Sequence, residues 1–240
     1  PPPPLFFLMI RRPPRSTLSS SSAASECIRD RLLTTTKQVT LTKNILSTYY
    51  KANQQDLIDG EVWYSKGHEI CSMIANQYGL NVETVAGVVS ALSPNNKWDR
   101  NIIDAENLIR AYLFEIEYPK VCTFGTQRDK AIMMLENNYD NPKNIARVLH
   151  GNKTIAFYKG LATGGKCDEI TVDGHAYNIW NGYYTPLNKV PNISDKLYAE
   201  VSKAYKESTN IINASQDKQY SPNNIQAITW VCHRRINEVA

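Results

Sequence analysis

The chain has 240 residues, of which 42% are hydrophobic and 21% are charged, so it has the composition of a globular protein able to bury a substantial core. Its net charge of +4 is compatible with a polyanionic partner but is too small to identify one. The five cysteines are widely spaced, which excludes a CxxC metal site and a dense disulfide framework. This usage predicts free thiols and a cytoplasmic location.

The first 25 residues differ in composition from the rest of the chain. Four prolines precede a six-residue apolar run and arginines follow it, which reverses the order found in a signal peptide. The run is also too short to cross a membrane, which takes about 20 apolar residues. The string LFFLMIRRPPRSTL resembles a translated sequencing adapter. We therefore expect residues 1–25 to be a non-native or disordered leader and residues 26–240 to form one helical domain without membrane contact.

Apolar residues at helical spacing predict a succession of helices from residue 41 onward. The stripe that contains Ile45 should end at a break at Asp59-Gly60, and the stripe that starts at Trp63 should end near Gly79.

The second half of the chain continues in the same way. Asn81 is a suitable N-cap for a helix that Pro94 should end. Further helices are expected over residues 101–113, 126–137 and 225–239, on both sides of residues 151–152, and after residue 173. Because alternating strands and repeats of fixed period are absent, the sequence predicts an all-α fold.

Two segments carry the residues best suited to chemistry. The segment VLHGNKTIAF, residues 148–157, contains Lys153, and the segment ITVDGHA, residues 170–176, contains Asp173. The pair resembles the signature of the helix-hairpin-helix DNA glycosylase superfamily, in which a Gly-x-Lys-Thr hairpin precedes a Val-Asp-x-His element. The resemblance covers roughly residues 82–182 and implies a two-lobed, DNA glycosylase-like helical fold. By position, it implies that Lys153 is the nucleophile and Asp173 the essential carboxylate.

The chemistry of base removal explains why such a pair is needed. A glycosidic bond breaks through an oxocarbenium-like sugar, and a nearby carboxylate stabilises positive charge that develops only in the transition state. A desolvated amine can attack the anomeric carbon and form a Schiff base with the opened sugar. The resemblance thus implies that Asp173 stabilises charge and that Lys153 makes the enzyme a lyase as well.

The same resemblance implies DNA contacts around this pair. Backbone amides of the hairpin would face a phosphate, which gives Gly151, Asn152 and Thr154 a DNA-binding role, with His175 beside the aspartate. The family hairpin usually has two glycines, whereas Leu149 stands at the earlier position here.

A third segment, SALSPNNKWDRN at residues 90–101, resembles the helix end and loop that insert into the duplex in that superfamily. Ser93, Asn95, Asn96 and Trp98 offer hydroxyl, amide and indole groups for stacking on a base or hydrogen bonding to it. An ordinary capped loop would have a similar composition.

Each residue also has a simpler structural interpretation. Asp173 could be only a helix N-cap, Lys153 a solvated surface lysine and His175 a packing residue. In the C-terminal helix, residues 226–230 with Arg234-Arg235 could line the cleft or pack on the core.

Three functions remain open on the sequence. The first is a DNA-base-processing enzyme, an N-glycosylase and lyase acting on an extruded nucleotide, with no cofactor and no metal. The pattern is also similar to phage-encoded members of the superfamily and to alpha-glutamyl/putrescinyl thymine pyrophosphorylases, in which Lys153 would bind phosphate. The third is a non-catalytic DNA-binding domain. All three predict DNA as the partner, and the first predicts that Lys153 and Asp173 line one cleft between two helical lobes.

Overall fold

The computed structural model describes residues 41–238, which form helices and connecting segments without any strand. The predicted all-α fold is therefore confirmed for this part of the chain. The predicted leader at residues 1–25 lies outside the described residues. Within them, no helix combines the length and the apolar character needed to span a bilayer.

The helices follow one another through short connections. Helix α1 covers residues 41–50, and the others are α2 Gln54–Tyr78, α3 Val82–Leu92, α4 Trp98–Leu113, α5 Gly125–Glu136, α6 Pro142–Leu149, α7 Asn152–Thr163, α8 Gly174–Asn181, α9 Asp195–Ala214 and α10 Pro222–Ile236. A short 3-10 helix, Leu187–Lys189, lies between α8 and α9.

Local capping sets several of the helix ends, and the sequence predicted the first two of those described here. The Asn81 side chain accepts a hydrogen bond from the Glu83 backbone N–H at the start of α3. Gly79 ends α2 in the left-handed conformation, with φ of 66°, which glycine adopts without steric cost. Ser221 and Asn224 form a reciprocal capping box at the start of α10.

The predicted break at Asp59-Gly60 is wrong, because both residues lie inside α2 and the chain turns instead at residues 51–53. Gly60 lies against the backbone of α10, where a β-carbon would stand 2.4 Å from the Ile228 Cα. This glycine therefore serves a close approach of two helices and not a turn.

Two other differences concern helices that bound the candidate site. Helix α4 begins at Trp98, three residues before the predicted start at residue 101, so this indole stands in the first turn of a helix and not in a loop. Helix α9 was missed altogether, although Ser194 caps it and Val201, Ala204 and Ile212 form a buried stripe at helical spacing.

Buried apolar side chains form two clusters. The first draws on α2 to α7 and the second on α1, α8, α9, α10 and residues 170–172. Helix α10 contributes to both, with Ala227 in the first cluster and Ile225 and Ile228 in the second. The beginning of α7 and the segment before α8, which carry Lys153 and Asp173, therefore belong to elements with different cores.

Candidate active site

A cavity of about 550 Å³ contains both Lys153 and Asp173 in its wall. The helices that form this wall are α2, α7 and α10, together with the first turns of α4 and α8. The structure thus brings together the two residues that the sequence singled out, from positions 20 residues apart.

The Asp173 carboxylate accepts a hydrogen bond on each oxygen. Oδ1 accepts from the backbone N–H of Ala176 at 2.8 Å, which makes Asp173 the N-cap of α8. Oδ2 accepts from the indole Nε1–H of Trp230 in α10 at 3.1 Å. The N-cap interpretation of Asp173 is therefore confirmed, and it coexists with a half-buried carboxylate in the cavity wall.

Tyr198 of α9 fixes the segment that leads into Asp173. Its hydroxyl lies 2.5 Å from the Ile170 carbonyl oxygen and 3.2 Å from the Asn152 carbonyl oxygen, and it accepts from the Val172 N–H at 3.3 Å. Tyr198 thereby connects the start of α7 to the residues before α8. Tyr198 was not predicted as a site residue, because α9 itself was not predicted.

Lys153 stands in the first turn of α7, directly after a tight turn. His150 and Gly151 form this turn with φ of 53° and 101°, and the second value explains the need for glycine. The Lys153 side chain is exposed, in contrast to the desolvated amine that the proposed chemistry calls for. Gly151 is the N-cap of α7 and has no side chain with which to cap the first amides of that helix.

A second cavity, of about 510 Å³, shares Lys153, Asp173 and His175 with the first. Gly151 and Asn152 also line it, and the Asn152 side-chain amide donates to Asp195 Oδ1 at 2.9 Å. The candidate catalytic pair therefore lies where two cavities meet.

The remaining predicted site residues are divided between the two cavities, except for one that lines neither. Ser93, Asn96 and Trp98 line the first cavity, and Asn95 lines the second. Thr154 lines neither of them, and its hydroxyl donates to the Gly151 carbonyl oxygen at 3.1 Å within the first turn of α7.

The loop between α3 and α4 is anchored by a buried carboxylate. Asp104, which is 1% exposed, accepts from the Asn96 side-chain amide at 3.2 Å and from the Cys122 backbone N–H at 2.8 Å. Arg100 pairs with its other oxygen at 2.8 Å. The loop that resembles a DNA-inserting element is therefore held in place by hydrogen bonds from the body of the protein.

Aromatic side chains line the first cavity, and four of them lie close together. The Trp63 ring centroid lies 5.2 Å from that of Trp98, 5.8 Å from that of Phe157 and 6.1 Å from that of Trp230. The sequence placed Trp63 in an apolar helical stripe and did not single out Phe157, since helical spacing alone does not separate a core wall from a cavity wall.

The C-terminal helix contributes four of the residues considered for it. Gln226, Ala227, Trp230 and Arg234 line the first cavity. Arg235 instead forms an ion pair with the buried carboxylate of Asp56, at 2.6 Å. In α5, the Lys130 ammonium donates to the Leu149 carbonyl oxygen at 2.9 Å, which supports the turn before α7.

Two buried histidines lie next to the aspartate. The ring centroids of His175 and His233 are 5.4 Å apart, and the Nδ1 atom of each is buried without a hydrogen-bond partner among the described residues. Burial lowers the pKa of both imidazoles, and it lowers that of His233 to about 4, while the charge of Asp173 acts in the opposite direction. Both rings are therefore neutral at pH 7.

We expect the free energy of unfolding to decrease as the pH falls from about 6.5 towards 4. The folded-state pKa of His233 is below the value of about 6.5 for an unfolded chain, so the unfolded state takes up a proton first. This histidine alone would account for a loss of at most about 3 kcal/mol over that window.

Urea unfolding at several pH values measures this effect. His233→Gln should flatten the slope of stability against pH, whereas His150→Gln, at an exposed position, should leave the slope unchanged. Equal slopes in the parent and in His233→Gln would show that this imidazole is not the source.

The fold and the cavity define an all-helical protein with an aromatic-walled cleft that carries a carboxylate and a lysine. The chain belongs to the family of unknown function DUF7178, which it matches over residues 28–237. No curated protein and no solved structure matches it.

Proposed function

We propose that this protein is a DNA-base-processing enzyme of the N-glycosylase and lyase type, which acts on an extruded nucleotide. The observation that carries the proposal is the position of the Asp173 carboxylate and the Lys153 amine in the wall of one aromatic cavity. The resemblance to helix-hairpin-helix glycosylases supports the same assignment.

The aromatic lining of the cavity suits a flat heterocycle. The Trp63, Trp98 and Phe157 rings offer faces on which a base can stack, and the cavity has the size of a typical ligand pocket, roughly 300–1,000 Å³. Ser93 and Gln226 add polar groups that can hydrogen-bond to base edges.

The Asp173 carboxylate would act on the sugar. Its two oxygens are already hydrogen-bonded, so it needs little reorganisation to stabilise an oxocarbenium-like sugar placed beside it. The neighbouring His175 is buried and electrically neutral at pH 7, so it adds no competing positive charge there.

Lys153 would attack the anomeric carbon after the base departs. The amine forms a bond to C1′, which then carries the lysine nitrogen and the ring oxygen O4′. Cleavage of the C1′–O4′ bond opens the sugar ring, a proton passes from the nitrogen to O4′, and a protonated Schiff base is left. Its exposure means that DNA binding must supply the desolvation that the free protein lacks.

The exposure of Lys153 favours a second candidate function. An ammonium in the first turn of α7, next to amides without a side-chain cap, suits a phosphate group at least as well as a sugar. In this alternative the protein resembles the thymine pyrophosphorylases of phage hypermodification, and Lys153 binds the phosphorylated group of a modified thymine.

A panel of duplexes tests the first proposal against the second. Each duplex carries one uracil, 5-hydroxymethyluracil, hypoxanthine, 8-oxoguanine or abasic site, and a further duplex carries pyrophosphorylated 5-hydroxymethyluracil. A glycosylase should release a free base from at least one duplex and should leave unmodified DNA intact. The last duplex is also incubated with a free amine such as putrescine. Release of pyrophosphate together with attachment of the amine to the base, and without release of a base, would establish the second function, and DNA binding without either reaction would refute both enzymatic proposals.

A further inference from the structure

We propose that Trp230 is a positioning residue, which holds the Asp173 carboxylate in its working orientation through the indole N–H. This inference rests on the proposed function of Asp173. From the sequence alone, Trp230 was expected either to pack on the core or to line the cleft.

The Asp173 carboxylate is held by two donors from two different helices. The Ala176 N–H belongs to α8, the helix that Asp173 itself caps, and the Trp230 Nε1–H belongs to α10. The cap alone leaves the carboxylate able to rotate about its Cβ–Cγ bond while one oxygen remains bonded. The second donor, at 3.1 Å, fixes that rotation.

The indole is itself held by its neighbours. The Arg234 guanidinium lies 4.4 Å from the Trp230 ring centroid, where it is attracted to the ring face. The rings of Trp63 and His175 approach the indole at steep angles, with centroids 6.1 Å and 6.0 Å away. These contacts restrict the indole, so its N–H keeps one direction.

A fixed carboxylate matters because the charge it must stabilise exists only briefly. A group that is oriented before the substrate arrives pays no reorganisation cost in the transition state. Each Asp173 oxygen has two lone-pair directions and uses one for a protein donor, so the others remain available to the sugar. Trp230 would therefore affect the rate of base release and leave the affinity for DNA nearly unchanged.

Trp230→Phe tests this inference, because phenylalanine keeps an aromatic ring but has no N–H. We expect the single-turnover rate of base release, on the panel duplex that the parent cleaves fastest, to fall roughly 10- to 100-fold. The DNA dissociation constant should change by less than about twofold. Trp180→Phe is the matched control, since the Trp180 Nε1 is buried and has no partner among the described residues.

A double-mutant cycle separates positioning from a general structural role. If Trp230 acts through Asp173, then Trp230→Phe should cause no further loss of rate in an Asp173→Asn background. Full additivity of the two losses, or a parent-like rate in Trp230→Phe, would overturn the inference. If Asp173→Asn itself keeps the parent rate, or if the parent releases no base, the proposed function fails and the inference fails with it.

Discussion

Asp173→Asn is expected to reduce the rate of base release roughly 10²- to 10³-fold while DNA affinity stays the same or rises slightly. The substitution keeps the shape of the side chain and removes the negative charge that would stabilise the oxocarbenium-like sugar. Single-turnover base release and fluorescence anisotropy with a labelled duplex measure the two quantities separately.

The fold should tolerate this change. Asparagine is a good N-cap, and its side-chain oxygen can still accept from the Ala176 N–H. Its amide nitrogen then faces the Trp230 N–H, and loss of that hydrogen bond should cost about 1 kcal/mol. Asp99→Asn is the matched control, because it removes an exposed carboxylate from the wall of the same cavity. Similar losses of rate in both variants would argue against a specific role for Asp173.

Lys153→Gln is expected to abolish the covalent adduct that borohydride traps between the protein and abasic-site DNA. A Schiff base needs a primary amine, and glutamine has none. Some base release should survive, because water can replace the amine as the nucleophile while Asp173 still stabilises the cation. Gel electrophoresis of the trapped complex measures the adduct, and alkaline cleavage of the strand measures base release.

Lys97→Gln is the matched control for this experiment, since Lys97 is also exposed and lines the same cavity. It should leave the adduct intact. The opposite result for Lys153 is equally informative: no adduct in the parent, weaker DNA binding in Lys153→Gln, and a salt dependence that is shallower by about one unit. That combination would identify a phosphate contact and support the pyrophosphorylase or DNA-binding alternatives.

Lys153 is exposed and Asp173 is half-buried. Under the proposed function, the two residues would therefore reach their working geometry in different ways. Asp173 is held by its own helix and by α10 in the free protein, so its geometry is already set there. Lys153 stands exposed on the first turn of α7, so under the proposed function it would need bound DNA to exclude water from its amine. The first of the two experiments therefore tests a feature of the folded protein, and the second tests one that forms in the complex.

The sequence by itself determined most of the helices and the two candidate catalytic residues. Caps such as Asn81 and Gly79 act through their own backbone and nearest neighbours, so their effect can be predicted locally. Lys153 and Asp173 were singled out because two short segments resemble the helix-hairpin-helix glycosylase signature, and such a resemblance is also read from neighbouring residues. The N-cap role of Asp173 was also foreseen, since it depends only on the helix that follows.

Only the tertiary structure decided which side chains surround that pair. In the sequence, Gly60 looks like the end of a helix. In the structure it allows α2 and α10 to approach closely, because a β-carbon at this position would clash with Ile228, which is far away in the chain. Trp63 and Trp230 contact each other and line the same cavity because α2 packs against α10. The bond from Trp230 to Asp173 joins residues 57 positions apart, and no local pattern specifies such a contact. Helical periodicity shows that a residue is buried, whereas long-range packing decides whether it faces a filled core or a cavity.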